Sequence, residues 1–123
     1  MPPGPLTRLR KLCLALPETS EKLAWGTPTF RVKDKIFAMW ADADTHVGDG
    51  RNAVWIMMEP ENQSLMIKAA PKRFFKPPYV GPSGWLGVYL DARTDWRELK
   101  DLLHDGWRRR APKRVLAQHG ADL

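Results

Sequence analysis

Apolar positions recur at helical spacing near the start of the chain, where Leu9, Leu12, Cys13 and Leu16 form one stripe behind Thr7, a residue able to cap a helix. Pro17 stops that helix, and residues 1–5 read as a frayed leader. Over residues 29–40 the pattern changes to β-branched and aromatic residues broken by the polar Lys33-Asp34-Lys35, which predicts two strands joined by a tight turn. A third strand is expected over residues 53–58, and the polar stretch 41–52, with Gly48 and Gly50, reads as a long hairpin loop. Strands linked in this way pair antiparallel.

Helical spacing returns after Pro60, a residue suited to a first turn, and runs to about residue 70 with Leu65, Met66 and Ala69 facing inward and Lys68 outward. Pro71 kinks or restarts this helix. An irregular segment, RFFKPPYVGPSG, leads to a strand over residues 85–90. Asp95 and Glu98 then resemble a capping box opening a helix whose apolar face is Trp96, Leu99, Leu102, Leu103 and Trp107. Gly106 and Pro112 mark its end, and a short last helix carries Val115 and Leu116. The order α-β-β-β-α-β-α-α gives an α+β class, an antiparallel sheet packed by helices, because strands do not alternate singly with helices as a doubly wound parallel sheet needs.

The length of 123 residues, with 43% apolar and 28% charged, suits one globular domain over residues 1–123. Cys13 is the single cysteine, so no intramolecular disulfide is expected, and it reads as a small buried hydrophobe with no histidine nearby to activate it. The amino-terminal MPPGPLTRLRKL has no unbroken apolar run of the kind a signal peptide or membrane span requires. A cytoplasmic protein without membrane association is the expectation. Six tryptophans are many for this length, and most are expected in the core.

Charge adds a second theme. Lys68, Lys72, Arg73 and Lys76 fall within nine residues that hold no acid, as do Arg108, Arg109, Arg110, Lys113 and Arg114 within seven. These nine cations exceed the net charge of +6, so the rest of the chain is net negative. Such local basicity favours an anionic partner, and phosphate contacts from these residues would bind DNA without reading its sequence. The plain alternative is a set of solvated helix ends, where the dipole favours cations.

The segment PPYVGPSGWLG at residues 77–87 is the strongest candidate site: prolines stiffen it, glycines allow close backbone approach, and Tyr79 and Trp85 offer flat faces. It either touches nucleic acid beside Lys72, Arg73 and Lys76 or closes the core as a structural loop. Trp25, in the turn-like WGTPTF, could line a cleft with Trp85. Metal and catalytic patterns are missing. His46, His104 and His119 have no ligand spacing, and the loop of Asp42, Asp44 and Asp49 has Ala53 where a calcium loop needs glutamate. No nucleophile elbow, phosphate loop or dinucleotide fingerprint occurs, and Ser83 has no evident base.

Four strings carry a wider likeness. CLALPETSEKLAWGTPTFRV from Cys13, RFFKPPYVGPSGWLGVYLD from Arg73, DWRELKDLL from Asp95 and APKRVLA from Ala111 resemble the MmcQ/YjbR family over nearly the whole chain. The resemblance implies a CyaY-like or double-wing fold and brings a DNA-binding label that rests on likeness to wing-type binders, with no catalytic residues and no cofactor to carry over. The expectation is therefore a DNA-binding protein acting through the nine basic residues. The alternative is a non-enzymatic module holding a protein or small ligand in an aromatic cleft at Trp25, Tyr79 and Trp85.

Overall fold

Ala24 faces Thr27 across Trp25-Gly26, and Val32 faces Lys35 across Lys33-Asp34. All four turn residues have positive φ, in chain order 54°, 76°, 48° and 67°, as two-residue hairpins that follow the strands' right-handed twist require. In the computed structural model, which describes residues 4–41 and 51–119, these turns join β1 (Thr19–Ala24), β2 (Thr27–Val32) and β3 (Lys35–Ala41) into a meander. Next to β3 lies β4 (Ala53–Ile56), then β6 (Leu86–Tyr89), and the two-residue β5 (Phe74–Phe75) forms the far edge. Every pairing in this six-stranded sheet is antiparallel.

The α+β class and antiparallel sheet agree with the sequence pattern, with two strands added. β1, TSEKLA, is rich in helix formers, and its exposed and half-buried residues alternate only as far as Lys22; pairing with β2, not propensity, makes it a strand. β5 lies inside the segment read as irregular. The turn at Lys33-Asp34 falls where the polar break put it. The glycines and aspartates of the 41–52 loop, together with His46, lie outside the described residues.

The described residues also form four α-helices: α1 (Pro5–Leu14), α2 (Pro60–Ala69), α3 (Trp96–Arg110) and α4 (Lys113–His119). α1 and α3 pack on one face of the sheet, α3 chiefly over β3. Leu9 and Cys13 of α1, Phe30 and Val32 of β2, and Leu99, Leu103 and Trp107 of α3 are fully or almost fully buried in one cluster. Burial pushes the Cys13 thiol pKa upward, because the thiolate would lose its hydration. The Trp107 indole donates to the Pro17 carbonyl at 2.9 Å and so ties α3 to the end of α1.

Three local expectations need correction. α1 starts at Pro5 after Gly4, so Thr7 lies inside the helix and caps nothing. In α2, Leu65 and Ala69 are exposed; the face toward the protein carries Gln63, Met66 and Ile67. Gly106 does not end α3, which continues to Arg110. A Cβ there would stand 3.0 Å from Ile56 Cγ2 and 3.2 Å from the Met57 carbonyl oxygen, so this glycine lets the helix approach the sheet closely. Asp95 does cap α3, accepting from the Arg97 and Glu98 backbone N–H groups, but the Glu98 side chain turns to Arg73.

Candidate functional site

Side chains alternate between the two faces of a strand, and on β3 and β4 this sends Met39, Ala41, Ala53 and Trp55 away from the helices. Met39 pairs with Trp55 and Ala41 with Ala53. They form a second apolar cluster with Trp85, bordered by Ile36, Met57, Phe75, Val80 and Tyr89. Gly87 sits beside Trp55 in the register, and a Cβ there would fall within 2.6 Å of Phe75 ring atoms. Glycine thus admits the Phe75 ring, which stacks on Tyr89 at 4.5 Å.

The outer face is partly roofed by residues 77–85. Val80, a 3-10 turn at Gly81–Ser83 and the left-handed Gly84 (φ 103°) bring this segment back to Trp85. Gln63 of α2 fixes it from behind: its Nε2 donates to the carbonyls of Gly81 at 2.9 Å and Trp85 at 2.5 Å. Gln63 is only 5% exposed, so both N–H groups are satisfied by the strap they position. A Cβ at Gly84 would lie 2.7 Å from the Pro60 ring, which makes the strap seat directly on the start of α2.

Between the strap and the β1–β2–β3 hairpins lies a cavity of about 1110 Å³. Trp25, Tyr79 and Trp85 all line it. Trp85 is buried in its wall, whereas Trp25 and Tyr79 stand at the rim, 79% and 76% exposed. Both rim residues have left-handed backbone, φ 54° and 64°, a region bulky residues rarely occupy. Four charged side chains, Arg31, Asp34, Lys35 and Arg110, share the lining. Arg110 donates from Nε to the Ile36 carbonyl at 3.0 Å, and its guanidinium carbon lies 5.8 Å from the Trp85 ring centre.

Three of the nine basic candidates are engaged within the fold. Arg73 is ion-paired with Glu98 in the first turn of α3, while Arg108, Arg109 and Arg110 make its last turn. Eleven residues of helical rise, about 16 Å, separate those two ends. Arg109 is ion-paired with Glu59, and Arg110 turns into the aromatic cleft. Lys76 lays its stem where a Gly81 side chain would sit. Lys68, Lys72, Arg108, Lys113 and Arg114 are exposed. Arg114, with Lys33 and His119, helps hold the Glu18 carboxyl below its ordinary pKa, the largest cause being the hydrogen bond from Lys33.

Sequence reasoning missed Arg31 and Lys35 as cleft residues and Gln63 as the side chain that holds the strap, and it assigned Arg110 to a phosphate patch. Nothing local marks Gln63, since a glutamine in a first helical turn looks like any solvated residue. The unbroken apolar run from Ile36 to Ala41 was the available signal that this strand is covered on both faces.

Comparison with known proteins adds the lineage. The YjbR family model matches residues 14–109. A crystal structure of a Deinococcus radiodurans protein with the DUF419 domain superposes with a TM-score of 0.71 at 18% identity, covering 94% of this chain and 87% of that one. No curated protein matches the sequence.

Proposed function

The chain belongs to the YjbR family, and we propose that within this fold it serves as a non-enzymatic binding module whose ligand lies in the aromatic cleft. The observation that carries this reading is the pair Trp25 and Tyr79. Each is a large aromatic, mostly exposed and in left-handed backbone. At such positions glycine or asparagine would cost less, and an exposed ring gains little burial. Two such residues facing one 1110 Å³ cavity are better explained by contact with a ligand than by folding. In this reading the module works in the cytoplasm, where Cys13 stays a thiol.

A second reading is binding of DNA phosphates without sequence preference. It is supported by Lys68, Lys72, Lys76, Arg108, Lys113 and Arg114, which are exposed and form no ion pair among the described residues. It ranks second because Arg73 and Arg109 are neutralised by carboxylates and Arg110 faces the cleft.

Titration with phenylnaphthylamine, a neutral fused-ring fluorophore, tests the first reading. Saturable binding is expected, nearly independent of salt, and weakened about threefold to tenfold by Trp25→Ala or Tyr79→Ala, the scale of one aromatic contact. Absence of saturable binding, or binding indifferent to both substitutions, refutes it. Duplex DNA titrated by fluorescence anisotropy tests the second, since phosphate contacts must weaken steeply with salt. Replacing Lys72, Arg73 and Lys76 with alanine should then lower the slope of log affinity against log salt by up to about 0.9 for each phosphate no longer neutralised, and an unchanged slope counts against that patch.

A further inference from the structure

The charges in the cleft wall define its ligand further. Arg31, Lys35 and Arg110 oppose a single acid, Asp34, so the lining carries a net charge of +2. Four arginines elsewhere in the fold are matched by carboxylates: Arg10 by Glu21, Arg51 by Asp91, Arg73 by Glu98 and Arg109 by Glu59. Among the described residues, none of the three cleft cations has such a match, and Asp34 pairs with none of them.

The two guanidinium groups are nonetheless oriented. Arg110 is held through Nε by the Ile36 carbonyl at 3.0 Å, and Arg31 through Nε by the Thr29 hydroxyl at 3.1 Å. Anchoring at Nε leaves the Nη1 and Nη2 end of each guanidinium, the fork that grips a carboxylate, sulfonate or phosphate with two parallel hydrogen bonds. Around this fork the walls are apolar and aromatic: Met39, Trp55 and Trp85 below, Trp25 and Tyr79 at the rim. A half-buried arginine above an indole ring, with no counter-ion, is electrostatically incomplete until an anion arrives.

We propose that the cleft takes a small molecule with a flat apolar body and one anionic group, the body lying against the tryptophans and the anion gripped by Arg110, with Arg31 and Lys35 adding attraction. This rests on the cleft reading above and goes beyond it in naming the ligand's chemistry. Charge and shape divide the work. The rings supply the contact that any flat molecule gains, and the arginine selects among flat molecules for those carrying negative charge.

The test compares two fluorophores that share one fused-ring body, anilinonaphthalene sulfonate and the neutral phenylnaphthylamine, on the full chain. Arg110→Met keeps much of the side-chain stem and removes the charge. It should weaken the sulfonate probe about tenfold, the scale of one charge-assisted hydrogen bond, and change the neutral probe less than about twofold. Lys100→Met, an exposed α3 position outside the cleft, removes the same net charge and should change neither. Equal losses on both probes, no loss on the sulfonate, or an equal loss from Lys100→Met would each overturn the anion proposal while leaving the cleft reading standing. Failure of the neutral probe to bind the wild type would remove the cleft reading and this proposal together. If Arg110→Met does not fold, as judged by near-ultraviolet circular dichroism, the exposed Lys35→Met takes its place. A loss confined to the sulfonate supports the proposal there, and an equal loss on both probes overturns it.

Discussion

Gln63→Leu removes a side chain that sits between α2 and the strap and donates to two backbone carbonyls, those of Gly81 and Trp85. Leucine has a similar volume, so the cavity change is small and the hydrogen bonds dominate the effect. Each bond contributes about 1 kcal/mol net; the Gly81 carbonyl keeps the Gly84 N–H as a donor at 2.9 Å, so only the Trp85 carbonyl, losing its donor, adds about 1–3 kcal/mol. Leucine returns part of this through its larger apolar surface. A loss of about 2–3 kcal/mol is expected, read as a lower urea midpoint at unchanged slope. Because the strap carries Tyr79 and Trp85, the neutral fluorophore should also bind more weakly. Gln63→Glu sharpens the test. An ionised carboxylate offers only acceptors to two carbonyl oxygens, so the introduced carboxyl is driven toward its protonated form and its folded pKa rises above the unfolded value of about 4.3. Stability of this variant should therefore fall as pH rises from about 4 to 7 relative to wild type, since the folded state binds the proton more tightly over that window. A loss below about 0.5 kcal/mol for the leucine variant, typical of surface changes, or a glutamate variant with no added pH dependence, would refute the assigned role of Gln63.

Two further outcomes are expected. Leu103 is 1% exposed in the cluster between α3 and the sheet, so Leu103→Ala should lower stability by about 2–5 kcal/mol in denaturant unfolding. A change near zero would mean that α3 is not a main packing element. The Glu18 carboxyl, held below its ordinary value of 4.5 first by the hydrogen bond from Lys33, stabilises the folded state above pH 4.5 and loses that contribution as pH falls through its lower folded pKa. The stability difference between wild type and Glu18→Gln should therefore shrink under acid, and a pH-independent difference would count against the Lys33 interaction.

Elements whose residues decide their own conformation, or whose apolar pattern is strong, are legible along the chain without its fold. α3 was visible in its repeating Trp96, Leu99, Leu103 and Trp107 face and its Asp95 cap, α2 in Pro60 at its first turn, and the β2–β3 hairpin in its polar turn. Trp25, Tyr79 and Trp85 could be picked as cleft residues because prolines and glycines flank flat aromatic rings. The tertiary structure alone decided the rest. β1 and β5 are strands only because β2 and β6 offer them backbone partners, and local propensity carries no record of a partner. Gln63 faces inward, and Leu65 outward, because the strap supplies two carbonyls at one position and nothing apolar at the other. Of the basic residues read as two patches, Arg73 and Arg109 are paired with carboxylates from distant parts of the chain, Glu98 and Glu59. Arg110 was turned toward the aromatic rings by one carbonyl of β3, 74 residues earlier in the chain. Charge can be counted along a sequence, but the direction in which a charge points is set by contacts between residues far apart in it.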